Sequence, residues 1–223
     1  TGLINFGSSV INVLVSNPTD GVSITTAGAI DLGTADLTFD SNFGAAPLNT
    51  LLVAGAGITG QTGSIDVDGD LTLETTTGNI ALQNFDIDVR SSGSNLDVSN
   101  ELILRAPGGS IDLGTGSANV VGSIQINASG NVDLSDNTLD SNLRRIISVN
   151  SGGDINLTNA LINQNLTTGA SGINFITTNG GIDLNGSQIS VGQDANDNFD
   201  LTATGLINFG SSVINVLVSN PTD

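Results

Sequence analysis

Acidic side chains are the chief chemical resource of this sequence, and two short stretches gather them. In Asp66-Val67-Asp68-Gly69-Asp70 three carboxylates alternate with other residues, a spacing that looks like the start of a calcium loop. The full loop needs a Gly at its sixth position and a Glu at its twelfth, and neither is present. The second stretch, GQDANDNFD, brings Asp194, Asp197 and Asp200 together. Calcium is the ion these residues could take, with Asp66, Asp68, Asp70, Asp194 and Asp197 as ligands. Each stretch also reads as an acidic turn that requires no cofactor. The same acids are where a sugar-cleaving site would be sought, because glycosidic-bond hydrolysis works through pairs of carboxylates. Catalysis has little else to draw on. There is no His or Lys to act as a base, no Cys nucleophile, and no Trp or Tyr on which a sugar could stack. The chain reads as a non-enzyme. Polysaccharide binding or processing through Asp66, Asp68, Asp194 and Asp197 is the alternative.

The balance of charge excludes whole classes of partner. Twenty Asp and two Glu face four Arg, for a formal net charge of -18. So negative a surface repels nucleic acid and anionic membranes. Arg90, Arg105 and the pair Arg144-Arg145 read as neutralising nearby carboxylates. The sequons at Asn127, Asn156, Asn165 and Asn185 are acceptor patterns that a chain rich in Asn, Ser and Thr also produces by chance. The most apolar run, Leu51–Ile58, is too short to span a bilayer, and a secretion signal is expected outside this stretch. Charged residues are 12% of the total and mean hydropathy is +0.18, so abundant Ile, Leu and Val point to a buried core rather than disorder.

What must position the acids is a set of very short strands. Apolar–polar–apolar triplets recur as Ile30-Asp31-Leu32, Ile65-Asp66-Val67, Ile80-Ala81-Leu82, Ile111-Asp112-Leu113, Val132-Asp133-Leu134, Ile155-Asn156-Leu157, Ile182-Asp183-Leu184 and Ile207-Asn208-Phe209. Alternation over three residues means a short strand with two side chains inward and one outward. Secondary strands lie between them, among them Leu37-Thr38-Phe39, Ile87-Asp88-Val89 and Ile189-Ser190-Val191. Gly, Asn, Asp and Ser fill the gaps, as turns require. No stretch sustains a 3.6-residue period, so almost no helix is expected. Groups of about three strands recur every ~25 residues, the length of one coil of a parallel β-helix. Between Phe43 and Gly63 this register is not legible. If coils stack, the outward residues of the main strands form a column, Asp133, Asn156, Asp183, Asn208, Asp31, in which acid and amide alternate. An intervening Asn separates the charges by two coils and can hydrogen-bond along the stack.

The longest-range signal is an identity. Thr1–Asp20 (TGLINFGSSVINVLVSNPTD) returns letter for letter as Thr204–Asp223, at an offset of 203 residues. Residues 1–223 therefore read as a single solenoid segment cut from a tandem array, slightly longer than one period of roughly eight coils. Further copies of the same repeat, end to end, are the expected partners.

Stretches such as GSIDVDGDLTLETTTGNIAL, GGSIDLGTG and GGDINLTNALI resemble the repeat regions of filamentous-haemagglutinin-like exoproteins, large bacterial surface adhesins exported by two-partner secretion. The resemblance implies an all-β, right-handed parallel β-helix, an extracellular, cell-surface location, and a shaft that holds a binding tip away from the cell. It also brings host or neighbouring-cell glycans in as partners.

Overall fold

The computed structural model describes residues 2–17, 21–41, 48–90, 100–141, 146–164, 172–192 and 198–217. It is all-β: parallel strands stack into a right-handed β-helix with three faces, the hand that parallel crossovers almost always take. Among the described residues no helix is long and apolar enough to cross a membrane.

The first face is a nine-stranded sheet. Its inward column runs Ile4, Ile30, Ile58, Ile80, Ile111, Val132, Ile155, Ile182 and Ile207, each residue in register with the next. Every member is β-branched, the shape that packs best on a pleated surface. The steps range from 21 residues (Ile111 to Val132) to 31 (Ile80 to Ile111). Nine stacked strands make eight steps between Ile4 and Ile207, the eight coils per period that the repeat implied. We number the coils 1 to 9 from the N-terminus.

The chain leaves the first face through a tight turn that recurs in nearly every coil. In coil 2 the Ala35 amide donates to the Leu32 carbonyl at 3.0 Å, and coils 6, 7 and 8 repeat the bond at Asn137–Leu134, Ala160–Leu157 and Ser187–Leu184. A left-handed residue sits inside each such turn: Gly33, Asp136, Asn159 and Gly186, with φ between 55° and 74°. Gly, Asn and Asp are the residues that tolerate this conformation, which is why they crowd the gaps.

The second and third faces are wider. The second carries strands such as Val10–Val15, Asp36–Ser41, Phe85–Arg90, Leu161–Gln164 and Val213–Val216. The third carries Val22–Thr26, Leu48–Ala54, Leu102–Ala106, Ile146–Ser151 and Asn198–Thr202. In coil 3 one strand, Gly63–Thr75, serves both faces and bends at Gly69, whose φ is 140°. The return to the first face is closed by hydroxyls: Thr75 Oγ1 and Thr177 Oγ1 each donate to the carbonyl three residues on at 2.6 Å.

One sequence-based assignment needs correction. Ile65-Asp66-Val67 has the main-strand pattern, yet it lies on the second face, between Leu37-Thr38-Phe39 and Ile87-Asp88-Val89. The first-face strand of that coil is Gly57–Gly60. There Gly60 stands where the other coils have Leu or Phe, and the ring of Phe85 from the next coil lies against it. The missing apolar side chain is supplied from a neighbouring coil, so no local pattern could reveal the strand. This is the stretch where the register was not legible.

Candidate functional site

The most repeated polar feature is the outward column of the first face. Its members in stacking order are Asn5, Asp31, Thr59, Ala81, Asp112, Asp133, Asn156, Asp183 and Asn208. Asn5 Nδ2 donates to Asp31 (3.2 Å), Asn156 Nδ2 to Asp133 (3.1 Å) and Asn208 Nδ2 to Asp183 (3.0 Å). Each carboxylate also caps the turn that follows it: the amides of Gly33, Ser135 and Asn185 donate to Oδ1 of Asp31, Asp133 and Asp183 at 2.9–3.0 Å. Asn156 and Asn208 make the same turn bond through their own Oδ1. An ionised Asp only accepts, whereas Asn both accepts and donates. Alternation therefore gives an acid a donor in the next coil while every turn stays capped. The expected order Asp133, Asn156, Asp183, Asn208 holds. It fails toward the middle of the chain, where Asp112 is the direct neighbour of Asp133 and where Thr59 and Ala81 replace the polar pair.

Asp66, Asp68 and Asp70 lie on the single strand Gly63–Thr75 and engage different partners. Arg90, one coil on, grips Asp66 through its Nη2 and through Nε (2.9 Å), and its Nε is 3.3 Å from Asp88. Asp68 is buried at the bend and accepts from Ser41 Oγ at 2.9 Å. Asp70 accepts from the Glu101 amide at 2.8 Å. Among the described residues no group of three or more acidic side chains is gathered as a metal cage. Asp194 and Asp197 lie outside the described residues, as do Arg144, Arg145 and Asn165. Of the remaining sequon residues, Asn127 accepts from Asn150 Nδ2 at 3.0 Å, and Asn185 Oδ1 accepts from the Ser211 amide.

Asp88 stands between Asp66 and Asn119 in register. Loss of solvent around it raises its carboxyl above the ordinary value of 3.8. Arg105, the other described cation, lies 3.6 Å from Glu74.

Two features escaped sequence reasoning. Buried polar side chains tie down the corner between the second and third faces. Asn100 Nδ2, just before the third-face strand Leu102–Ala106, donates to the Arg90 carbonyl (2.6 Å). Ser141 Oγ, at the end of the second-face strand Thr138–Ser141, donates to the Gly122 carbonyl of the preceding coil (2.7 Å). For Ser141 the available signal was a polar residue at an inward position of an alternating strand. The other feature is an open groove of about 630 Å3 over the third face and its exit corner, lined by Arg105, Pro107, Asn127, Asn150 and Ile176 among others. Its side chains come from successive coils more than twenty residues apart, so no motif announces it.

Fold and surface together define a parallel β-helical solenoid with an acid–amide ladder on one face and acids on another. No protein-family model matches the chain, and no curated protein or solved structure matches it either.

Proposed function

We propose that this chain is a shaft segment of an extracellular bacterial surface fibre, similar in kind to filamentous-haemagglutinin-like adhesins, in which each 203-residue period stacks on the one before. The observation that carries the reading is the pair of registers at the two ends. Coil 9 repeats the sequence of coil 1. In coil 1 those residues support coil 2, with Ile4 on Ile30 and Val10–Val15 on Asp36–Ser41. In coil 9 they rest on coil 8, with Ile207 on Ile182 and Val213 on Gln188. One short sequence thus fits both the coil before it and the coil after it, which is what joining periods demands. A free solenoid end is a row of unpaired backbone groups and an open core section. Here Phe209, at the inward position where Leu184 of coil 8 is fully buried, is 48% exposed, and a following period would cover such an end.

The test is a set of chains with one, two and three periods viewed by electron microscopy. Rods should lengthen by ~38 Å per period, eight coils at the ordinary strand spacing. Particles that stay compact as periods are added overturn the reading. A second reading, polysaccharide binding, is favoured by the groove beside Arg105, where a guanidinium and two amides meet an apolar wall. Glycan-array binding lost in Arg105→Ala would support it.

A further inference from the structure

The second face carries its charge unevenly. Its outward positions hold Asp36 and Asp40 in coil 2, Asp66 in coil 3, Asp86 and Asp88 in coil 4, and Asp140 in coil 6. Coils 7, 8 and 9 then present Leu161 and Asn163, Gln188 and Ser190, and Val213 and Asn215, with Leu217 beyond, and none of these described outward positions is charged. Leu161 is 36% exposed, Val213 53% and Leu217 49%. Among the described residues this is the one place on the face where uncharged coils run three deep; coil 5, with Ser117 and Asn119, stands alone. Because coil 9 repeats coil 1, the next coil in an array is the one bearing Asp36 and Asp40. The window is therefore bounded by carboxylates on both sides and recurs once per period.

We propose that these shafts associate side by side through this window, with a second copy of the same array as the partner. The proposal rests on the array reading above. The charge pattern selects the partner. At a net charge of -18 per chain, two copies repel wherever carboxylates meet and can approach only where both faces are neutral. A copy has its windows at the same axial spacing, so two aligned shafts bring every window opposite another. A glycan finds no Trp or Tyr to stack on. Three strands of four residues offer on the order of 190 Å2, against ~800 Å2 per partner in a typical stable complex. One window is too small. Several in series act as one multivalent contact.

The experiment compares one-period and four-period chains by electron microscopy and analytical ultracentrifugation at physiological salt. Four-period rods should pair laterally at micromolar concentration, while the one-period chain shows no lateral pairing. Leu161→Asp with Gln188→Asp in every period should weaken pairing at least tenfold and leave rod length unchanged. Thr72→Asp, which adds a charge on the third face between Leu51 and Ile103, should leave pairing as it was. Rods of the expected length that stay single, or double-variant rods that pair as well as the parent, overturn the window while leaving the array intact. If no rods form, both readings fall together.

Discussion

At the scale of single residues, the ladder on the first face makes one side-chain atom decisive. Asn156 differs from an aspartate by a single amide nitrogen, and that nitrogen donates to Asp133. Asn156→Asp keeps the oxygen that caps Thr158 but inserts an acid between Asp133 and Asp183, so that carboxylates stand in four successive coils, from Asp112 to Asp183. The variant should lose about 1 kcal/mol at low salt, through a missing hydrogen bond and added repulsion. Melting curves at rising ionic strength should close most of the gap; a salt-independent loss would point away from charge. Asp88 makes the opposite case. Burial raises its native carboxyl above 3.8, so the folded chain holds that proton more tightly than the unfolded one. Its contribution to stability is fully present below 3.8 and is lost as pH rises through the raised native value. Asp88→Asn cannot ionise, so its stability relative to the parent should improve from about pH 3 to pH 7, with Arg90 still holding Asp66. Thermal melts across that range check it, and an advantage that grows toward acid would refute it.

At the scale of elements, the bend in Gly63–Thr75 lets one strand serve two faces, and it depends on a backbone angle an L side chain rarely adopts. A Cβ at Gly69 would also collide with the Leu48 backbone in the preceding coil. Gly69→Ala should therefore cost about 2–4 kcal/mol. Hydrogen exchange should show the loss centred on coils 2 to 4 rather than spread along the rod, since each coil touches only its neighbours. The elements also show what a sequence can and cannot disclose. Short triplets with Asp or Asn in the centre revealed most first-face strands, because one coil contains the whole signal: β-branched residue inward, acid or amide outward, turn former next. Ile58-Thr59-Gly60 was not legible, because its packing is completed by Phe85 from another coil. Ile65-Asp66-Val67 carries the first-face pattern on the second face, since alternation reports inside and outside but not which of three sheets a strand joins. The partners of Asp66, Asp68 and Asp70 come from adjoining coils and were equally out of reach.

At the scale of the whole molecule, the parallel stack sends the backbone hydrogen bonds between coils along one axis, from Phe6 to Asp31 at one end to Leu184 to Asn208 at the other. Tension applied between the two ends would load those bonds one coil at a time, from the free ends inward, rather than shearing a whole sheet together. Each release should free one coil's worth of chain, and the coils are unequal. The 21-residue step frees ~70 Å of extended chain and the 31-residue step ~100 Å. A force–extension trace from a multi-period chain should show a sawtooth whose spacings repeat as a fixed sequence of long and short intervals, while evenly spaced peaks would contradict it. Uneven coil length would serve as a mechanical signature of position along the shaft.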